Sequence, residues 1–320
     1  MTPTVSIVLP TFNRLQFLRE AVDSVFAQTF RDWELIVADD GSDGETLAYL
    51  AELAQRSRVK LLSLVHSGSP SAVRNAGWRE ASGKYVAFLD SDDIWMPDKL
   101  SLQLAAHAAC TQRRWSYTAL IRIDGAGAPM SDGQGDNWVP HEGAIFEQLL
   151  AIDAAVATPS VVVEKSFLEL AGGFDEQLPY FEDYDLWLRL SLLSEVILVN
   201  TPLIKVRNHA QHYSADRIGV YQARFRLLDK VAGSAKTPRL RAVLRMEHAK
   251  NAASLAFVSA VAGRRVYALK MLWRSRQCAW YSSAWWSKAG STCARVLAPN
   301  WLQEAVRKHR RHRRVLAAAP

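Results

Sequence analysis

Three closely spaced carboxylates, Asp90, Asp92 and Asp93, follow a short apolar run at residues 85–89. The run is rich in β-branched and aromatic residues, which predicts a buried strand that ends at the first acid. In an open α/β sheet, ligands bind at the carboxyl ends of the strands, so these acids lie where binding sites form. Carboxylates are hard oxygen ligands, and Mg²⁺ is commonly held by one or two of them together with substrate phosphates. The alternative interpretation is a solvated turn that caps the next helix.

The segments around these acids alternate between strand and helix patterns over roughly the first hundred residues. The predicted strands are residues 5–9, 33–38, 59–65 and 85–89. This alternation predicts parallel βαβ units with right-handed crossovers, and hence an α/β fold. The second predicted strand also ends in acids, Asp39 and Asp40. The G-x-G-x-x-G fingerprint and the G-x-x-x-x-G-K-[ST] loop do not occur, so the phosphates of a bound nucleotide are expected to be neutralised by a metal and by basic side chains.

A second acidic cluster, Glu182, Asp183 and Asp185, opens a segment with helical spacing of leucines. Acids in a first helical turn are stabilised by the helix dipole, by about 0.3 to 1 kcal/mol each, so plain end stabilisation is the alternative to a catalytic role. Further along, His209 and His212 stand within four residues of each other beside Arg207, after another predicted strand, which suggests an anion or metal contact. Residues 125–138, rich in Gly, Asp and Ser, are interpreted as a loop over the site.

The charge of the chain is unevenly distributed along its 320 residues. Residues 1–216 carry a net charge of −12, whereas residues 217–320 carry +19. This asymmetry predicts two parts with different partners, divided between residues 216 and 217. The three cysteines are widely spaced and odd in number, which favours neither a disulfide framework nor a zinc site, so a reduced cytoplasmic compartment is expected. No apolar stretch reaches the ~20 residues of a transmembrane helix, and no secretory signal pattern is found.

Six motifs appear together in one order. They are VSIVLPTFNR at 5–14, ADDGS at 38–42, RNAG at 74–77, FLDSDD at 88–93, AGGFDE at 171–176 and FEDYDLWLRL at 181–190. In order and spacing the chain resembles the family 2 glycosyltransferases over residues 4–215. The resemblance implies a GT-A fold, Rossmann-like with a mostly parallel central sheet, in a catalytic domain at residues 1–216. It also implies transfer of a sugar from a nucleotide-sugar donor with inversion at the anomeric carbon.

The resemblance also implies roles for individual residues. Asp183 matches the catalytic base, and Asp40 resembles the acid that receives the nucleotide base. The implied nucleotide-sugar-binding residues are Pro10, Thr11, Asn13, Asp40, Arg74, Asp90, Ser91 and Asp92. The implied metal contacts, for Mg²⁺ or Mn²⁺, are Asp92, Asp93 and His209. An inverting displacement needs such a base on the acceptor side and positive charge beside the departing diphosphate, which agrees with the two acidic clusters.

The resemblance implies a UDP-sugar as donor, with dTDP and GDP as alternative nucleotides. The expected acceptor is a hydroxyl of a saccharide or lipid-linked molecule in cell-surface polysaccharide or glycan synthesis. The segment after Asp183 reads DLWLRL instead of the Q-x-x-R-W element of processive synthases, so non-processive transfer is expected. The other hypothesis is a catalytically inactive nucleotide-sugar-binding protein. Retention of Asp40, the D-x-D acids and Asp183 together favours the enzyme.

Residues 217–320 are predicted to be mainly helical, basic and rich in tryptophan. They include Trp273, Trp280, Trp285, Trp286 and Trp301, and residues 307–314 read RKHRRHRR. One interpretation is a helical cap on the catalytic domain; the other is a surface for anionic lipid, which would make the protein peripheral at the inner face of the cell membrane. Nucleic acid is not expected as a partner, because no reading motif is found.

Overall fold

The computed structural model describes residues 2–130, 139–152, 154–208, 216–276 and 283–297. In these ranges the strands are β1 (Val5–Thr11), β2 (Trp33–Asp39), β3 (Val59–Ser63), β4 (Tyr85–Phe88), β5 (Ile94–Trp95), β6 (Trp115–Ile123), β7 (Val162–Glu164) and β8 (Val196–Arg207). The α-helices are α1 (Leu15–Phe26), α2 (Gly44–Leu53), α3 (Pro70–Arg79), α4 (Lys99–Ala109), α5 (Phe146–Ala151), α6 (Lys165–Ala171), α7 (Glu182–Leu193), α8 (Arg217–Val231), α9 (Pro238–Val261), α10 (Arg265–Arg274) and α11 (Ser283–Leu297). The chain divides into two compact units, residues 1–213 and 214–320.

The first unit is built on an eight-stranded sheet in the order β3-β2-β1-β4-β7-β6-β8-β5. Strands β3, β2, β1 and β4 are parallel, and each is joined to the next along the chain by a helix. Strand β7 is antiparallel to both β4 and β6, β8 is parallel to β6, and β5 is antiparallel to β8. The fold is therefore α/β with a mostly parallel sheet, which confirms the predicted fold class.

The central strands are continuous apolar runs because helices cover both faces of this part of the sheet. On one face, Ile7 and Leu9 of β1 share a core cluster with Leu18 and Val22 of α1. On the other face, α3 lies so close to β1 that a Cβ atom at Gly77 would stand 2.5 Å from Val8 Cγ1. The glycine of the RNAG motif therefore has a packing role, which sets the distance between α3 and the sheet.

The parallel order brings the carboxyl ends of β1, β2 and β4 to one edge of the sheet. In register, Thr11 lies beside Asp39, and Val8 of β1 lies beside Phe88 at the end of β4. The acids after β2 and β4 consequently approach one another although they are separated by 50 residues of sequence. This edge is where the candidate site is found.

Strand β5 is an element that sequence periodicity did not predict. Its two residues, Ile94 and Trp95, pair with Ile204 and Lys205 of β8, and two residues are too few to show a strand periodicity. The segment after β6, predicted as a loop, begins with a tight turn in which the Asp124 carboxylate accepts two backbone N–H bonds. Residues 131–138 of that predicted loop lie outside the described residues.

The second unit, as far as the structure describes it, consists of helices, which confirms the predicted helical C-terminal region. Helix α9 is capped by Thr237, whose hydroxyl accepts the Leu240 N–H at 3.1 Å, and proline is its first residue. Its buried residues pack against Met271 of α10 and Trp285 of α11. In the described ranges, every helix is too short or too polar to cross a bilayer. Trp280, Trp301 and residues 307–314 lie outside those ranges.

Candidate active site

Asp40, directly after β2, is surrounded by hydrogen-bond donors from the protein. Its carboxylate accepts the N–H and the hydroxyl of Ser67 at 2.8 and 2.9 Å and the N–H of Gly68 at 2.9 Å. His66 Nδ1 lies 3.0 Å from the same carboxylate. The structure thus places Asp40 as the residue that holds the loop after β3. Its predicted contact with a nucleotide base stays a prediction.

The motif after β1 is folded against the turn after β2. Asn13 adopts a left-handed conformation with φ of 47°, its N–H donates to the Ser42 hydroxyl, and its side-chain oxygen accepts the Asp43 N–H. These bonds explain why the two motifs occur together, since each supplies the partners of the other. Thr11 is buried, and among the described residues its hydroxyl finds no hydrogen-bond partner. Pro10 lies beside Ala38 in the same pair of strands.

Arg74 of α3 connects the two acidic clusters. Its guanidinium is buried and donates to Asp90 Oδ1 at 2.7 Å and to Glu182 Oε1 at 3.0 Å. Asp90 follows β4 and Glu182 begins α7, so one side chain joins the mouth of the sheet to the start of that helix. Sequence alone placed Glu182 in a helix-end cluster; only the fold reveals its ion pair.

The D-x-D element forms a turn in which the Asp93 N–H donates to the Asp90 carbonyl at 3.1 Å. Asp90 and Asp92 reach the mouth with side chains 25% and 16% exposed, while Ser91 is buried. Arg14 donates to Asp92 Oδ2 at 2.6 Å. No role for Arg14 was predicted from sequence; the signal was its place at the end of the first motif, adjoining the strand end where ligands bind.

Asp93 points into the protein, away from the mouth where a metal would bind. It is buried, and its carboxylate accepts the backbone N–H of Arg207 in β8 at 2.8 Å. Burial raises the pKa of Asp93 well above its usual range, and the neighbouring Asp92 and Asp90 raise it further. Asp93 therefore contacts β8, whereas Asp90 and Asp92 are partly exposed at the mouth.

Arg207 supports the same turn from behind. Its buried guanidinium donates to the Asp92 and Gly125 carbonyls and to the Glu20 carboxylate, and it stacks over the Phe17 ring at 4.7 Å. The anion contact suggested for Arg207 is thus made to a side chain of the protein. His209, its predicted neighbour in metal binding, lies outside the described residues, as does His212.

Asp183 lies in the first turn of α7, beside Glu182. It is half-buried; its carboxylate accepts the N–H of Tyr184 at 2.7 Å, and the Thr158 hydroxyl lies 3.5 Å away. Burial raises the pKa of Asp183 to about 7, and the charge of Glu182 adds to the rise. A carboxylate with a pKa near 7 at the edge of a cleft is well suited to general base catalysis at neutral pH.

Asn75 links α3 to the AGGFDE motif. Its amide donates to the Phe174 carbonyl at 2.8 Å and its oxygen accepts the Phe174 N–H at 3.0 Å. A Cβ atom at Gly173 would lie 2.8 Å from Asn75 Oδ1, and the φ of Gly173 is 69°. Asp185, in contrast to Asp183, is fully buried and pairs with Arg189, which donates to the carbonyls of Ala171 and Gly173. These contacts hold the start of α7 in place.

A divalent cation fits the exposed part of the D-x-D turn. In the described parts of the chain, no group of three or more His, Cys, Asp or Glu is arranged to hold a metal ion. Asp90 and Asp92 nevertheless supply two hard oxygen ligands at the mouth, and phosphates and water complete such magnesium sites. Asp93 differs from these two acids because it is buried, and its predicted metal contact stays a prediction.

The fold is the GT-A fold, and it resembles those of two solved structures. The structure of Staphylococcus aureus TarS residues 1–349 in complex with UDP-GlcNAc matches with a TM-score of 0.61 at 19% identity, over 79% of this chain and 72% of that one. A mannosyltransferase from Pyrobaculum calidifontis in complex with GDP-Man and Mn²⁺ matches with a TM-score of 0.61 at 17% identity, over 96% of this chain and 87% of that one.

Sequence comparison identifies the family. Residues 6–112 match the family model of glycosyl transferase family 2. An uncharacterized glycosyltransferase of Rickettsia prowazekii is 29% identical over 65% of this chain and 65% of its own length. The UDP-Glc:α-D-GlcNAc-diphosphoundecaprenol β-1,3-glucosyltransferase WfgD of Escherichia coli is 40% identical over 32% of this chain and 40% of its own length. Over residues 6–112 the chain therefore matches glycosyltransferase family 2, the family that the motifs predicted.

The match covers part of the relatives' length. The chain spans 65% of the R. prowazekii protein and 31–35% of three other Rickettsia glycosyltransferases. The E. coli chondroitin synthase matches at 29% identity over 68% of this chain and 31% of its own length. The extent of these matches agrees with the size of the first unit, which carries the candidate site.

Proposed function

We propose that this protein transfers a glycosyl group from a nucleotide-diphosphate sugar, with UDP as the nucleotide, to a hydroxyl of a saccharide or lipid-linked acceptor in polysaccharide or glycan synthesis. Transfer proceeds with inversion and without processive elongation. The match to the family supports glycosyl transfer, and neighbours in fold were solved with UDP-GlcNAc and GDP-Man. The relative named for a diphosphoundecaprenol-linked acceptor supports a lipid-linked one.

One observation carries the proposal: Arg74 joins Asp90 of the D-x-D turn to Glu182, the neighbour of Asp183, through two ion pairs of 2.7 and 3.0 Å. Arg74 and Asp90 both influence the pKa of Asp183, which supports a shared site for the donor-side acids and the candidate base. Arg74 and Arg14 also supply positive charge at the mouth, where the diphosphate of a donor would lie. Both features are required for an inverting displacement.

In the proposed reaction, the Asp183 carboxylate accepts the proton of the acceptor hydroxyl. The acceptor oxygen then forms the new bond to the anomeric carbon as the bond between that carbon and the diphosphate oxygen breaks, and the nucleoside diphosphate leaves with the bonding electrons. Arg74 and Arg14 stabilise the charge that develops on the departing diphosphate. Thr158 and the Tyr184 N–H orient the base.

Mg²⁺ or Mn²⁺ would be held by Asp90 and Asp92, with Ser91 and Asp40 shaping the nucleotide pocket. A bound divalent cation supplies electrostatic stabilisation of the diphosphate. Mn²⁺ is present in the mannosyltransferase neighbour. His209 and Asp93 stay predicted ligands, and Asp93 differs from Asp90 and Asp92 because it is buried and bound to β8.

The test is a panel of UDP-, dTDP- and GDP-sugars, each incubated with the protein, an acceptor mixture and Mg²⁺ or Mn²⁺, with release of nucleoside diphosphate as the readout. We expect release from a UDP-sugar, increased by acceptor and prevented by chelator. Donor binding without any release, across the whole panel, would instead indicate the inactive nucleotide-sugar-binding protein.

We also propose that the protein acts at the inner, cytoplasmic face of the cell membrane as a peripheral protein. The support is the charge of +19 in residues 217–320 and the lipid-linked acceptor in the name of one relative. Anionic headgroups attract basic residues near the surface by about 1 kcal/mol each.

A further inference from the structure

Helix α10 of the second unit presents an apolar face to solvent. Val266, Leu269 and Trp273 recur at helical spacing and are 84%, 47% and 65% exposed. The other side of the helix is already used, because Ala268 and Met271 are at most 3% exposed and lie in core clusters. A helix with one buried face and a second, exposed apolar face is typical of a surface that binds a membrane or another protein.

Basic side chains flank this face. Lys270 and Arg276 are exposed, and the Arg276 guanidinium lies 3.8 Å from the centre of the Trp273 ring and donates to the Trp273 carbonyl at 3.0 Å. Residues 248–303 contain eight Lys and Arg and no Asp or Glu. Glu247, just before that range, is buried within ion pairs, so its charge is already compensated.

We infer that the α10 face, defined as Val266, Leu269 and Trp273 with Lys270 and Arg276, docks on an anionic lipid bilayer. Charge complementarity selects this occupant: the face combines apolar side chains with cations, and its own helix carries no acid. Tryptophan and aliphatic side chains partition into the headgroup boundary, while flanking cations contact anionic headgroups. The inference deepens the membrane part of the proposed function, and it rests on that function for the biological role of the contact. Lipid binding itself is measured without donor, so the lipid contact and glycosyl transfer are tested separately.

The test is co-sedimentation of the full-length protein with two kinds of vesicle, phosphatidylcholine alone and phosphatidylcholine with phosphatidylglycerol, at low and high salt. We expect binding to the anionic vesicles that weakens with salt but persists in part. Salt screens the cationic contribution, whereas partitioning of the apolar face does not depend on counterions. Equal binding to both kinds of vesicle at low salt would overturn the inference.

The α10 face is tested by the triple variant V266S/L269S/W273S. These side chains are already exposed, so the fold should be retained, which circular dichroism checks. We expect the vesicle partition coefficient to fall by about tenfold or more, and the salt-resistant fraction to disappear.

The double variant K270Q/R276Q should keep the salt-resistant fraction and lose part of the salt-sensitive one. The matched control replaces three exposed leucines of the first unit, L47S/L170S/L193S, and should bind like the wild type.

Two results would contradict the inference directly. Unchanged vesicle binding by the V266S/L269S/W273S variant would show that lipid contacts lie elsewhere. Dissociation of a dimer by that variant in sedimentation velocity, without loss of vesicle binding, would identify a second copy of the chain as the occupant. Nucleoside diphosphate release in the absence of vesicles reports separately on the proposed function, and it should be equal in the variant and the wild type.

Discussion

Among single residues, Asp183 and Asp185 lie in the same helical turn but have different roles: Asp183 is the candidate base, and Asp185 holds Arg189. The two acids are two residues apart on α7, yet Asp183 lies at the cleft and Asp185 is buried against Arg189. The helix dipole favours an acid at both positions, since both lie in the first turn. The raised pKa and partial exposure distinguish Asp183 as the candidate base, because a base must reach its proton donor.

Asp183→Asn is nearly isosteric but cannot accept the acceptor proton, so glycosyl transfer should fall by about 10² to 10⁴. Donor affinity, measured by calorimetry, should stay near the wild-type value. The contrasting variant is Asp185→Asn, which should lower the melting temperature because Arg189 loses its buried partner. If donor affinity falls together with transfer in Asp183→Asn, the residue acts structurally.

The pH dependence of transfer follows from the pKa of about 7 for Asp183. Below that pH the carboxyl is protonated and cannot act as base; as pH rises, the active fraction grows. We therefore expect kcat/KM, which reports the free enzyme, to rise about tenfold per pH unit below about pH 7 and then level off. The measurement is a pH series with a buffer of constant ionic strength. A profile without any rise between the acidic and the neutral range would exclude a titrating base there.

Among the elements, the D-x-D turn is held from two sides with different energetics. Arg207 of β8 is buried and binds the Asp92 and Gly125 carbonyls, whereas Arg14 reaches Asp92 from the partly exposed mouth. Hydrogen bonds to a charged group contribute about 1.5–3 kcal/mol, and partly exposed ion pairs contribute about 0–1 kcal/mol.

Arg207→Ala should therefore lower the free energy of unfolding by about 2–4 kcal/mol, because it removes a buried side chain together with its packing on Phe17 and its hydrogen bonds to the turn. Arg14→Ala, the control on the same turn, should lower it by less than about 1 kcal/mol and instead weaken donor binding. Urea denaturation with an unchanged m-value measures both. Equal loss of stability in the two variants would mean that Arg207 does not support the turn more than Arg14 does.

The close approach of α3 to β1 makes a second prediction for elements. Gly77→Ala would place a Cβ atom 2.5 Å from Val8 Cγ1, so we expect a loss of about 1–3 kcal/mol from overpacking. Val8→Ala removes the clashing methyl groups, and the double variant should be more stable than the sum of the two single effects predicts.

Gly290 provides the matched control, since it is also helical and nothing lies within 4 Å of its added Cβ atom. Gly290→Ala should be neutral or stabilising by up to about 1 kcal/mol, because alanine is the better helix former. A loss of stability of similar size at both glycines would attribute the Gly77 effect to something other than its distance from Val8.

For the molecule as a whole, donor binding should stabilise the protein only with a cation. The acidic ends of β2 and β4 repel a diphosphate, so UDP with Mg²⁺ or Mn²⁺ at about 100 times its dissociation constant should raise the free energy of unfolding by about 2.7 kcal/mol. UDP with chelator should raise it much less, and Asp92→Ala should remove the shift. The measurement is thermal unfolding with each combination; equal shifts with and without chelator would remove the cation from donor binding.

Features of this protein that depend on local pattern are readable in its sequence. Residues 5–11, 33–39 and 85–88 form strands whose apolar runs, buried on both faces, show in the sequence without knowledge of their partners, and Pro70 with Ser69 marks the start of α3. The carboxyl ends of parallel strands meet at one edge, so the alternation of strands and helices alone predicts that Asp40 and the D-x-D acids lie near each other.

Which of these side chains face the cleft depends on how the elements pack. Asp93 is buried because β5, a two-residue strand, pairs with β8 and turns the carboxylate towards the Arg207 N–H. Arg74 joins partners 16 and 108 residues away, and no local pattern reports a pairing over that distance. Sequence periodicity records which face of an element is apolar; contacts between distant polar groups, and the pKa values that follow from them, are set by tertiary packing.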